Sequence, residues 1–94
     1  FQIDTMATRF NRCVAEAGIK TEGAMLLDEA FVRGQFERGD ATRITGLPER
    51  SARRILTELS ESGLLGSETP KGPVQLRFPM KYQDLLFPRL FAET

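Results

Sequence analysis

The chain has 94 residues, 40% of them hydrophobic and 28% charged, with thirteen Lys and Arg balancing thirteen Asp and Glu and no histidine at all. That length and composition fit one small domain with a modest core, near the lower limit of what folds without disulfides or metals. No apolar run approaches the length of a membrane span, and the missing histidine rules out Ser-His-Asp and Cys-His catalysis and His-containing zinc sites.

Other chemistry is thin. The eight glycines are scattered, with no GxGxxG or GxxxxGK[ST] spacing that would cradle a phosphate. The acidic residues converge on no pair, so no catalytic residue, metal ligand or cofactor is assigned and the chain is read as a non-enzyme. One cysteine, Cys13, cannot form an internal disulfide, which fits a reducing cytoplasmic setting. It lies among Phe10, Val14 and Ala17 at helical spacing, as a small core filler without a base to activate it. The first residue is Phe1 rather than Met, so the chain is expected to be a piece of a longer protein.

In chain order, Ile3, Met6, Ala7, Phe10, Val14 and Ala17 recur at helical spacing and Gly18 is a natural stop. Thr21 is the expected N-cap of a second helix whose buried face carries Ala24, Leu27, Ala30 and Phe31, flanked by Met25 and Leu26, ending near Gly34. Phe36 tucks under the next element. Asp40 is placed to cap a short third helix containing Ala41 and Ile44, which Gly46 ends. Pro48 suits the first turn of a longer helix, because the N–H it lacks would be unpaired there. That helix runs to Ser62 and stops at Gly63, with Ala52, Ile55, Leu56 and Leu59 on one face.

Beyond Gly63 the period changes. Leu64–Ser67 and Val74–Phe78 read as two short strands, the second with Val74, Leu76 and Phe78 inward and Gln75 and Arg77 outward. The turn-rich Glu68-Thr-Pro-Lys-Gly-Pro73 joins them. Pro79 ends the second strand, and Tyr82, Leu85, Leu86, Leu90 and Phe91 form an apolar tail interrupted by Pro88. The tail either packs back on the domain or meets a neighbour; for Tyr82, Phe87 and Phe91 the spacing favours core packing. The fold expected is mainly α with a small β-hairpin, a winged helix-turn-helix. Residues 1–18 form a connecting helix and 19–94 the domain, with the helix-turn-helix at about 40–62, the wing at about 64–79 and the tail at 80–94.

A helix-turn-helix offers its second helix to the DNA major groove. Here that helix presents Glu49, Arg50, Ser51, Arg53, Arg54, Thr57 and Glu58 away from the core. Arginine suits this role because its planar fork bonds guanine O6 and N7 or clamps a phosphate, and Ser51 and Thr57 can donate to phosphates or base edges. Lys71, at the hairpin tip, is placed to touch the backbone or the adjacent minor groove. The DNA-binding candidates are Arg43, Arg50, Ser51, Arg53, Arg54, Thr57 and Lys71. Residues 33–54 hold six arginines against three acidic residues, a local excess on a neutral chain. Against this stand an isoelectric point near 6.5, well short of the value above about 9 expected of strong DNA binders, and the reuse of such folds as protein-interaction modules. Exposed arginines are usually a solvated face, and Arg54 with Glu58 is an i,i+4 pair.

The run Gly34-Gln-Phe-Glu-Arg-Gly-Asp-Ala-Thr-Arg-Ile-Thr-Gly-Leu-Pro-Glu-Arg-Ser-Ala-Arg-Arg-Ile-Leu, then Gly63-Leu-Leu and Thr69-Pro-Lys-Gly-Pro-Val-Gln-Leu-Arg-Phe-Pro79, resembles the C-terminal winged-helix region of bacterial Fic-family proteins. Leu86-Phe-Pro-Arg-Leu-Phe91 resembles their closing segment, so the likeness covers about Leu26 to Phe91; residues before Gly18 match only loosely. The resemblance implies an upstream Fic domain that transfers AMP or a related group to a hydroxyl side chain of a target protein. The His-Pro-Phe start and Asn-Gly-Arg end of that catalytic signature are not in this chain. By analogy with winged helices, Ser51 and Arg54 match positions that begin and continue the recognition helix, and Arg50 and Arg53 match positions that set sequence preference. Pro48 stands where Ser is frequent, removing a capping or phosphate-binding hydroxyl.

Two functional readings follow. One is an accessory domain that binds duplex DNA and regulates or tethers the Fic enzyme. The other is a protein-interaction or dimerisation module using residues 3–17 and the 82–91 tail to pair protomers or present substrates. A homodimer is compatible with both, since helix-turn-helix proteins commonly bind symmetric half-sites.

Overall fold

A computed structural model describes residues 6–86 of the chain; Ile3, Phe87, Leu90 and Phe91, given roles above, lie outside the described residues. The chain folds as α1 (Met6–Ala17), α2 (Gly23–Arg33), β1 (Gln35–Phe36), a 3-10 turn (Arg38–Asp40), α3 (Ala41–Thr45), α4 (Glu49–Ser62), β2 (Leu65–Gly66) and β3 (Val74–Leu76). A second 3-10 turn (Met80–Tyr82) then leads into α5 (Gln83–Leu86). It is mainly helical, with a small antiparallel sheet.

The α4 segment is helical for the reason its pattern suggests. Ala52, Ile55, Leu56 and Leu59 fall three and four apart, so one stripe meets the core while the charged residues stay wet. Its end is local too: Gly63 takes φ +88°, and the Leu64 N–H reaches back to the Leu59 carbonyl at 3.1 Å, closing a Schellman-type cap. Between α3 and α4 the chain reverses at Gly46, where φ +73° is a conformation L side chains avoid.

One core unites the elements. Phe10, Cys13 and Val14 of α1, Leu26 and Leu27 of α2, Ile55 and Leu59 of α4, Leu64, Leu65, Val74, Tyr82 and Leu86 are all buried in the same cluster. Each large aliphatic side chain withdrawn from water contributes about 1.5–3 kcal/mol before its lost entropy is counted. The Arg9 Nη1 donates to the Leu86 carbonyl at 2.9 Å, pinning α5 to α1.

Several expectations need correction. The hairpin is part of a three-stranded sheet, order β1-β3-β2, with Phe36 opposite Val74 and Leu65 opposite Leu76. Gln35–Phe36 is too short to show alternation, and only pairing with β3 makes it a strand. Phe78 points outward at 45% exposure: the pairing of β3 with β2 ends at Leu76, the Arg77 N–H to Leu64 carbonyl bond follows, and the inward–outward alternation stops there. On α2 the buried residues are Gly23, Ala24, Leu26, Leu27 and Ala30. Phe31, one step round from Ala30, sits on the shoulder, 48% exposed, with its ring edge-on to Phe10 at 5.8 Å.

The caps differ as well. Thr21 is not the N-cap of α2; Glu22 precedes the helix without a side-chain cap bond, and the Thr21 carbonyl accepts from the Ala24 N–H at 2.9 Å. Asp40 precedes α3 but caps nothing, because the 3-10 turn runs straight into the helix and leaves Asp40 itself helical at φ −80°, ψ −8°.

Candidate nucleic-acid interface

The turn before α4 is held by Thr45, a buried polar side chain. Its Oγ1 donates to the Ala41 carbonyl at 2.7 Å and accepts from the Leu47 N–H at 3.2 Å, satisfying both roles of the hydroxyl. This sets the direction in which α4 leaves α3. Pro48, expected in the first turn of the helix, is instead the extended residue before it, at φ −57° and ψ 154°.

With most of its apolar stripe buried, α4 borders two neighbouring concavities. Arg50, Ser51, Arg53, Arg54 and Thr57 line one shallow concavity. Glu49, Ala52, Arg53, Leu56 and Thr57 form one wall of a deeper cleft, and Arg38, Gly39, Ala41 and Thr42 form the other. Arg53 and Thr57 belong to both. Five of the seven candidates are therefore brought together on one helix face.

The other two are placed differently. Lys71 is exposed in the β2–β3 turn. That turn is braced by Ser67 Oγ, which donates to the Pro73 carbonyl at 2.6 Å, and by Arg38 Nε, which donates to the Gly72 carbonyl at 3.2 Å. Arg38 thus links the residue beside Lys71 to the α4 cleft. Arg43 faces α2, within 3.8 Å of both Glu29 and Asp40, while Glu29 also meets Arg33 at 2.8 Å. It is not brought into the α4 concavity.

The electrostatics are mixed. Arg53 sits 2.7 Å from Glu49 and Arg54 4.0 Å from Glu58, the latter being the i,i+4 pair expected from the sequence. Arg50 has no ion pair among the described residues. Pairs this exposed are worth about 0–1 kcal/mol and yield readily to a competing anion, so the arginines stay available although their field is partly cancelled. Arg38 and Thr42 line the deeper cleft, and the sequence left both unassigned. Arg38 entered only as a charge, because its nearness to α4 and the turn depends on β1 pairing with β3.

Among the described residues no group of His, Cys, Asp and Glu is disposed to hold a metal ion, and no helix is long and apolar enough to cross a membrane. Burial pushes the Cys13 thiol up to about 11, so it stays protonated and unreactive. No protein-family model, no curated protein and no solved structure matches the chain.

Proposed function

We propose that this chain is a winged helix-turn-helix domain that binds duplex DNA, with α4 presented to the major groove and the β2–β3 turn beside it as the wing. Its role is regulatory or tethering, within a parent protein that also carries a Fic catalytic domain. The observation that carries the reading is the single exposed face shared by Arg50, Ser51, Arg53, Arg54 and Thr57. It combines guanidinium forks and hydroxyls, the groups that read guanine edges and hold phosphates. The order α2, β1, α3, α4, β2, β3 and the central place of β3 support the winged assignment. Glu49 and Glu58 lower the field and make the affinity modest.

The test is binding of labelled duplex DNA over a range of salt. Log K should fall linearly with log salt at about −0.9 per neutralised phosphate. Arg50→Ala with Arg54→Ala should abolish binding while leaving the fold intact. Absence of binding at low salt by the chain and by its full-length parent would sink the proposal.

A protein-interaction reading is favoured by one observation: Met25, Phe31 and Val32 of α2 are 51%, 48% and 71% exposed. The surfaces expected to pair protomers speak against it, because Phe10, Cys13 and Val14 of α1 and Leu86 of α5 face the domain's own core. Sedimentation tests self-pairing through this patch. A monomer at high concentration excludes self-pairing, and a dimer broken by Val32→Glu supports it.

A further inference from the structure

We propose that the cleft between the Arg38–Asp40 turn with α3 and the Glu49–Thr57 stripe of α4 seats one backbone phosphate of duplex DNA, with Glu49 as an internal competitor for it. This rests on the DNA-binding reading and adds a site to it. Two arginines, Arg38 and Arg53, and two hydroxyl side chains, Thr42 and Thr57, line the cleft, over an apolar floor that includes Ala41, Ala52 and Leu56. Arginine with hydroxyl donors is the set that holds a phosphodiester, and low-polarity walls strengthen each charged contact.

The two arginines are prepared differently. Arg38 spends its Nε–H on the Gly72 carbonyl at 3.2 Å, which orients the guanidinium and leaves its other donors for a ligand. The same bond ties one wall of the cleft to the turn carrying Lys71. Arg53 is occupied by Glu49 at 2.7 Å. Two guanidinium groups and one carboxylate leave the cleft one positive charge, the complement of one phosphodiester. A phosphate entering it takes Arg53 from Glu49, and the carboxylate swings to water. Glu49 therefore lowers affinity for any duplex regardless of sequence.

Fluorescence anisotropy of the chain with labelled duplexes of two unrelated sequences, between about 50 and 200 mM salt, tests this. Arg38→Ala should make the salt slope shallower by about 0.9 and weaken both duplexes equally, as loss of a backbone contact does. Arg38→Lys should restore the slope, because the charge returns. Glu49→Gln should tighten both duplexes and steepen the slope. Thermal melting establishes that each variant is folded; if Arg38→Ala is not, Glu49→Gln carries the test alone. Wild-type binding with slopes unchanged in Arg38→Ala and Glu49→Gln overturns the cleft proposal and leaves the α4 reading standing. No wild-type binding at low salt overturns both.

Discussion

Thr45 Oγ1 bridges two backbone groups across the α3–α4 turn, donating to the Ala41 carbonyl at 2.7 Å and accepting from the Leu47 N–H at 3.2 Å. Thr45 is buried. Thr45→Val keeps the shape and strands the Leu47 N–H, with an expected loss of about 1–3 kcal/mol. Thr45→Ser should recover most of it. Urea unfolding midpoints measure both, and a Thr45→Val variant as stable as wild type would show that the bridge holds nothing.

Core and shoulder positions should separate cleanly. Leu59 of α4 is fully buried in the core, and Leu59→Ala should cost about 2–5 kcal/mol through lost burial and a residual cavity. Val32, mostly exposed on α2, should tolerate Val32→Thr within about 0.5 kcal/mol. Thermal unfolding of the pair checks this, and comparable losses would mean that α2 is covered in solution.

Cys13 predicts a dependence on alkaline pH. Its thiol is raised from 9.0 to about 11 by burial, so the folded chain holds this proton where the unfolded chain releases it. The unfolded state then binds fewer protons, and stability falls as pH rises from about 9 towards 11. Cys13→Ala removes that component. The difference in urea midpoint between wild type and Cys13→Ala should therefore shift against wild type on going from neutral to alkaline pH. A constant difference would place the thiol in contact with water.

The α4 segment was legible because everything that makes it is local. Its apolar residues recur every three or four positions, and Pro48 and Gly63 mark its ends by their own backbone preferences. The same holds for Gly46, and for Cys13 among Phe10 and Val14. Arg43 illustrates the limit. Spacing placed it near α4, but Glu29, fourteen positions earlier, lies beside it on the α2 side.

The sequence by itself determined α1 to α4, the positions of their glycine stops and which face of α4 is buried, since each follows from side-chain period and backbone freedom within one segment. Only the tertiary structure decided that Gln35–Phe36 is a strand, that Phe31 and Phe78 stay on the surface, and that Arg38 joins the β2–β3 turn to α4. Those outcomes depend on groups more than thirty residues apart, as Arg38 and Gly72 are, or on which neighbour reaches a shoulder position first. Chain closure brings such groups together, and no local pattern encodes it.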